Sequence, residues 1–442
     1  MSKDSLAVAI EALSWMAYEG IGERTALFRA AEQLGVEAPD DLRRAHKLVM
    51  ETTRYMNRLE NLISDPLARI NQRPQHGITS FLKILAYVKY IEKRSERDIE
   101  QNVRWARQIL GWKEILPFEK AIALIASGTL TSHLREPAED EKIALETCNP
   151  LWFVKKTTQV FGRAFALKIL SQSLKLLPAY VRINTLKSPQ ASRADEIASL
   201  LQATRLGQLQ NVLKIERSRR VQTRSDLYQS GEIILQDFAS IVTGFVASPK
   251  QNSIVFDLCA APGNKTSHLA ATMSNRGEIY SLDNSERRLS HWKKEMSRTG
   301  VTAASPIRAD AKAIPANVEA DVVLVDPPCS NTGVFPRNPD IKWKVEAQRI
   351  EDFAVRQYAI LNAAAEHVTS SGTLVYCTCS ILPEENELVI ENFLKRHHDF
   401  DLVPQTPLLG LPGLRGMDLC QRFYPHIHEC NGYFIAKLQR TA

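Results

Sequence analysis

Apolar residues in the first 135 positions recur at helical spacing. Leu6, Ile10, Leu13 and Ala17 fall on one face, as do Phe81, Leu85 and Val88. Breakers stand at GIG (20–22), APDD (38–41) and NQRPQHG (71–77), with no strand-like alternation between them. The pattern predicts an all-α bundle over 1–135. The acidic run LREPAEDEK at 134–142 then predicts a linker over 136–150.

From NPLWFVKKTTQVFG onward the texture changes. PAYVRINTLKS (178–188) alternates like a strand, SRADEIASLLQ reads as a helix and VLKIE as a second strand. A small α+β module is expected over 151–228. Beyond it, SIVFDLCAAPG, EIYSLDNS, ADVVLVDPPCS and GTLVYCTCS each run from apolar residues into a polar turn, with helical stretches between. Alternating β and α elements predict a parallel, doubly wound sheet, so 229–442 is expected to be an α/β, Rossmann-like domain. The expected fold is multidomain, in keeping with a chain of 442 residues.

Composition narrows the class. An apolar fraction of 44% and a charged fraction of 24% suit a globular protein. No run of 18 apolar residues predicts a membrane span, and MSKDSLAVAIEAL is too polar and acidic for a secretory signal. Seven scattered cysteines, an odd number, suit a reducing cytoplasm better than a disulfide framework. The net charge of +6 is unevenly placed: 1–140 hold 20 basic and 20 acidic residues, whereas 151–225 hold 14 and 3, a net of +11. A basic block of that density points to phosphate, and hence to nucleic acid.

The chemistry-bearing residues gather at the carboxyl ends of the predicted strands: Asp257, Asp283, Asp326, Cys329 and Cys379. Ligands of such sheets bind there. The turn CAAPGNKT (259–266) is neither G-x-G-x-x-G nor a complete phosphate-binding loop. A small-residue turn followed by Asp283, with Asp310 in IRAD, suits a ligand with a ribose and positive charge, such as S-adenosylmethionine. In an extended strand Cys377 and Cys379 would share a side, which leaves a metal clip, a structural pair and a nucleophile all open.

Four motifs together carry a resemblance: FDLCAAPGNKTSHLA, DPPCSNTGVFPRNPDIKW, YCTCSILPEENELVI and RFYPHIHECNGYFIAKL. They resemble the RNA (cytosine-5)-methyltransferase family, and its bacterial ribosomal-RNA branch carries a helical domain similar to the antitermination factor NusB. The resemblance implies a class I methyltransferase domain with S-adenosylmethionine as cofactor. Cys379 of Thr-Cys-Ser maps to the nucleophile, Cys329 of Pro-Cys to the residue that assists release, and Asp326 to the carboxyl that holds the base. Cofactor residues map to Cys259, Ala260, Ala261, Pro262, Gly263, Asn264, Lys265, Asp283, Asp310 and Asp326. The family usually has glycine at Asn264, and asparagine tolerates a left-handed backbone better than most residues. The implied substrate is RNA, ribosomal first and transfer RNA second, for a cytoplasmic monomer with a NusB-like domain at 1–135, a basic RNA-recognition subdomain at 151–228 and a catalytic domain at 229–442. Arg337 and Lys342, after Cys329, are expected to touch RNA near the target.

Rival readings have less behind them. DPP followed by an aromatic would mark exocyclic-nitrogen methylation, but Cys329 stands there. Cys420, His426, His428 and Cys430 are close together, yet their spacing matches no common zinc finger, so no metal is expected. HECNG lacks the second histidine of H-E-x-x-H. A non-enzymatic RNA-binding assembly factor is the alternative class, against which Asp326, Cys329 and Cys379 all stand intact.

Overall fold

The computed structural model describes residues 1–70, 72–128, 138–216, 223–315 and 318–441. Part of the acidic run at 134–142 and the basic RSRRVQ stretch at 217–222 therefore lie outside the described residues. The chain forms two compact units, Met1–Leu174 with Asn338–Lys344, and Lys175–Arg337 with Val345–Ala442.

The first unit is helical throughout its described residues. The Ser2 side chain caps the helix Lys3–Glu19, and Gly20, at φ 67°, closes it in the left-handed conformation that glycine adopts without steric cost. Leu6, Ile10, Leu13, Phe81, Leu85 and Val88 meet in one core. Ala17 does not join them: the last turn of its helix runs out of the core into solvent. Where a linker was expected, Glu139–Thr147 form a helix. Leu151–Phe161 and Arg163–Ser171 are also helices and belong to this unit, not to the α+β module. Phe153, Val154, Ile169 and Leu170 bury an apolar face there that the interspersed lysines disguise in the sequence.

Lys342 corrects a second expectation. It is fully buried in the helical unit, and its Nζ donates to the carbonyls of Arg54 (2.8 Å) and Cys148 (2.5 Å). Trp343 Nε1 donates to Thr53 O (2.7 Å). These carbonyls end the helices Pro39–Arg54 and Glu139–Thr147, where intrahelical donors run out. Burial lowers the Lys342 ammonium to about 7. Lys342 thus satisfies helix ends and is closed to RNA. Lys342→Met should cost about 1–3 kcal/mol of stability by orphaning two carbonyls, seen as an earlier thermal transition with RNA affinity unchanged. A loss of affinity at unchanged stability would restore the RNA-contact reading.

The second unit opens with β1 (Ala179–Ile183), β2 (Thr204–Leu206), β3 (Leu209–Ile215) and β4 (Ile233–Leu235), an antiparallel sheet in the order β2-β3-β1-β4. Arg182 of β1 is buried, one basic-block charge turned inward. It donates to Ser267 Oγ (2.7 Å) and Asn264 O (3.3 Å). Nine further strands follow: β5 (Ile254–Leu258), β6 (Glu278–Asp283), β7 (Ala304–Arg308), β8 (Ala320–Val325), β9 (Val368–Thr378), β10 (Phe400–Leu402), β11 (Leu411–Pro412), β12 (Gln421–Phe423) and β13 (Tyr433–Arg440). Their order is β11-β12-β13-β9-β8-β5-β6-β7, with β10 on β13. β5 to β9 run parallel; β13 joins β9 antiparallel. The RFYPH segment carries β12, whose Arg422 makes a buried two-point pair with Glu387. Strand order reverses at β5, with β6 and β7 on one side and β8 and β9 on the other. The carboxyl ends at that reversal frame a crevice.

Candidate active site

Two adjacent parallel strands bring the cysteines together. Val325 of β8 lies in register with Tyr376 of β9, so the loops that leave the two strands start side by side. The Sγ atoms of Cys329 and Cys379 are 3.2 Å apart. As a thiol, Cys379 donates to Asn331 Oδ1 (3.0 Å), and Asn331 Nδ2 in turn donates to Cys329 O (2.9 Å). Gly333 N donates to Cys379 O (2.9 Å). A Cβ at Gly333 would stand 2.0 Å from Gly432 O, so only glycine permits this closeness.

The two sulfurs differ electrically. Cys329 is buried and Cys379 half-buried. The hydrogen bond with Cys379, burial, and the charges of Cys379 and Glu385 push the Cys329 thiol well up. Cys329 therefore keeps its proton, and Cys379 is the sulfur open to a substrate.

Asp326 is held at both carboxylate oxygens. Lys265 Nζ donates to Oδ2 (2.6 Å), and the Cys377 thiol faces Oδ1 at 3.7 Å. Tyr433 OH donates to Cys377 Sγ (3.2 Å). Burial opposes the charge on Lys265, but Asp326 and its neighbours outweigh it and raise the ammonium. Burial and the Asp326 charge raise Cys377, so it remains a thiol. Cys377 is buried in β9 and touches the carboxylate at the oxygen that the lysine leaves free.

A cavity of about 160 Å³ lies beside this cluster's strands, and its lining includes Cys259, Asp283, Asn284, Arg288, Asp310 and Lys312. Buried Asp283 accepts from Ala261 N (3.3 Å) and Ser285 N (3.0 Å) and pairs with Arg288 (3.2 Å). Asp310 is exposed and pairs with Lys312 (3.4 Å). Of its three cations, Arg288 and Lys312 are matched to carboxylates and Arg356 is exposed, and the remaining acceptors suit a neutral ribose and a positively charged ligand. S-Adenosylmethionine fits that donor set.

The other expected cofactor residues divide. Ala260, Ala261 and Gly263 are buried in the turn, and Pro262 is exposed. Cys259 (φ 65°) and Gly263 (φ 108°) carry the left-handed backbone. Asn264 does not need that tolerance, because it begins the helix Asn264–Thr272, where its Nδ2 reaches Leu235 O (3.4 Å). Lys265 serves Asp326 and is absent from the cavity lining. Burial, with Asp326 and Asp283 close by, pushes the Cys259 thiol up to about 12.

Asp257 is not at the rim. It lies inside β5, buried, with Oδ2 accepting from Thr266 Oγ1 (2.6 Å) and Oδ1 meeting no donor. Burial pushes its carboxyl up to about 7. The unfolded chain titrates near ~3.9, so the folded state holds a proton that the unfolded state has lost between these values. Its contribution to stability is complete below ~4 and is lost as pH rises toward 7, at up to about 1.4 kcal/mol per pH unit. Asp257→Asn should remove this slope, making the variant the more stable protein at pH 8 and levelling the two near pH 4. Denaturant titrations at pH 4, 6 and 8 check it; parallel curves would refute it.

Three residues here escaped the sequence reading. Arg288 lies five residues beyond the strand-end Asp283, Asn331 two residues beyond Cys329, and Glu385 within the PEE that follows Cys379. Only their spacing to already suspicious residues could have marked them. Arg337 was expected on RNA, but it donates to Pro178 O and lies 3.6 Å from Asp237. Cys420 and Cys430 are buried, and His428 Nδ1 accepts from Tyr424 N (2.9 Å). Among the described residues no group of three or more His, Cys, Asp or Glu side chains is placed to hold a metal ion.

Known proteins resemble this chain. The family described as 16S rRNA methyltransferase RsmB/F matches residues 245–439. The probable ribosomal RNA small subunit methyltransferase B of Bacillus subtilis is 30% identical over 392 residues, 85% of each chain. The tRNA (cytosine(72)-C(5))-methyltransferase of Pyrococcus horikoshii is 36% identical over 48% of this chain and 54% of its own. The crystal structure of a protein designated PH0851 superposes with a TM-score of 0.83 at 26% identity, over 100% of this chain and 99% of that one.

Proposed function

The chain belongs to the RsmB/F family of 16S rRNA methyltransferases, and from that premise we propose that it methylates C5 of a cytosine in small-subunit ribosomal RNA. It is an S-adenosylmethionine-dependent RNA cytosine-5 methyltransferase. The observation that carries the reading is the pair of sulfurs 3.2 Å apart beside a lysine-held aspartate.

C5 of cytosine is a poor nucleophile. The Cys379 thiolate adds to C6, and the C5–C6 electron pair moves toward N3, turning the ring into an enamine. The Asp326 carboxyl group, held by Lys265 at 2.6 Å, carries the proton that N3 takes up as it becomes basic. Bound S-adenosylmethionine supplies an electrophilic methyl group, and Asp283 with the turn at 259–263 would hold it. C5 then loses its hydrogen as a proton to water, the C5–H electron pair re-forms the C5–C6 double bond as the Sγ–C6 bond breaks, Cys379 leaves as a thiolate, and Cys329 assists that release. The base has to be unpaired or flipped to reach Cys379.

The helical unit serves in this reading as a NusB-like RNA-binding domain. Exposed Lys155, Lys168, Lys175 and Lys187 offer phosphate contacts. Seven free thiols suit a reducing cytoplasm, and the protein is taken to act as a monomer. No helix among the described residues is long and apolar enough to cross a membrane. The Pyrococcus relative favours transfer RNA as the second substrate reading.

Labelled cofactor and separated RNA classes test the proposal, with bisulfite sequencing of the product. Label on a small-subunit ribosomal cytosine supports it. Label on transfer RNA alone favours the second reading, and label on no RNA class would sink both.

A further inference from the structure

Glu385 is fully buried, and the mechanism above gives it no part. It ends the short turn Pro383–Glu385 after the Cys379 loop. Its Oε1 accepts from Ser330 N (2.8 Å) and Gln357 Nε2 (2.9 Å). Its Oε2 accepts from the Ser380 hydroxyl (2.5 Å) and from the Ser330 hydroxyl. Ser330 directly follows Cys329, and Ser380 directly follows Cys379. One carboxylate therefore grips the neighbour of each sulfur. Thr332 adds a second tie, with its Oγ1 3.0 Å from Ser380 Oγ and accepting from Ile381 N (3.1 Å).

Burying a carboxylate is costly unless its lone pairs are filled. Here four donors fill them, and the two backbone or amide N–H groups cannot become acceptors in place. Opening either loop would strip donors from a buried charge, so the two loops are held as one. The same charge faces Cys329 and favours its protonated form.

We propose that Glu385 is a positioning residue for the two-cysteine chemistry, its carboxylate fixing both loops so that the sulfurs stand within reach of one base. The inference rests on the cysteine-pair reading of the site, and its test separates the two. Diamide oxidises paired thiols: two S–H groups lose two protons and two electrons to its N=N bond, leaving a disulfide and a hydrazine. Closure of Cys329 onto Cys379, followed by peptide mapping, reports their approach without RNA or cofactor.

Glu385→Ala should slow that closure by about tenfold or more and lower kcat by about 10²-fold, with KM for RNA within about threefold. Glu385→Gln should restore most of both, because its amide oxygen replaces Oε1 and the serine hydroxyls can rotate to accept from its NH₂. Equal closure rates in native and Glu385→Ala protein would overturn the proposal, as would an unchanged kcat. Should Glu385→Ala not fold, Glu385→Asp, which draws the carboxylate back by one methylene, carries the same measurements. If native protein methylated nothing, the proposed function would fail while the closure rates still judged Glu385.

Discussion

Replacing Cys329 by serine leaves the protein covalently attached to its RNA, whereas replacing Cys379 by serine leaves no adduct at all. This is the expected result, and it follows from the unequal environments of two sulfurs in contact. Cys379 is the accessible one, and in the proposed mechanism it makes the bond to C6. Without it, methylation should fall by about 10³-fold or more, since no other group supplies the nucleophile. Cys329, 3.2 Å away and buried, is by the proposed mechanism needed only after the methyl group has arrived. Without its sulfur the addition proceeds and the elimination stalls, so a stable protein–RNA band builds up in a denaturing gel. The band depends on the cofactor and is absent from the Cys329→Ser, Cys379→Ser double variant. An adduct in Cys379→Ser would reverse the two roles.

Asp326→Asn carries the second large effect. Asp326 does two things at once in the proposed mechanism: it holds the base at N3, and it balances the ammonium of Lys265 (2.6 Å). Losing the first should lower kcat by about 10²–10⁴-fold, the range of positioned acid–base groups. Losing the second leaves a buried cation without its partner and should cost roughly 3 kcal/mol of stability. The two losses can be separated. Asp326→Asn with Lys265→Met removes both charges and should recover much of the stability while activity stays low. If activity returned with stability, Asp326 would be a structural residue and the N3 role would fall.

Much of this was legible beforehand because it is local. The strand ends at Asp283, Val325 and Thr378 follow from short apolar runs halted by polar turns. The family resemblance carried by the Thr-Cys-Ser and Pro-Cys motifs is what points to Cys379 as the nucleophile. Other features needed the assembled chain. Lys342 reads as a loop cation, yet it ends as a cap on two helices, because its neighbours come from residues 54 and 148. Asn264 looked like a backbone substitution, yet the left-handed positions are Cys259 and Gly263. Lys265 lies in the expected cofactor turn, yet its partner is Asp326, 61 residues further along the chain.

The pair in YCTCS shows where the division lies. Alternation along a strand would have put Cys377 and Cys379 on one side, but β9 ends at Thr378, and the chain turns before the second sulfur. Cys377 therefore faces Asp326, and Cys379 faces Cys329 and Asn331. The sequence by itself determined the parallel sheet, the strand ends and the reactive residue types, because periodicity and turn chemistry act between near neighbours. Only the tertiary structure decided which of those residues touch. Strand order and register bring together positions some fifty residues apart, and burial there decides which groups keep their protons.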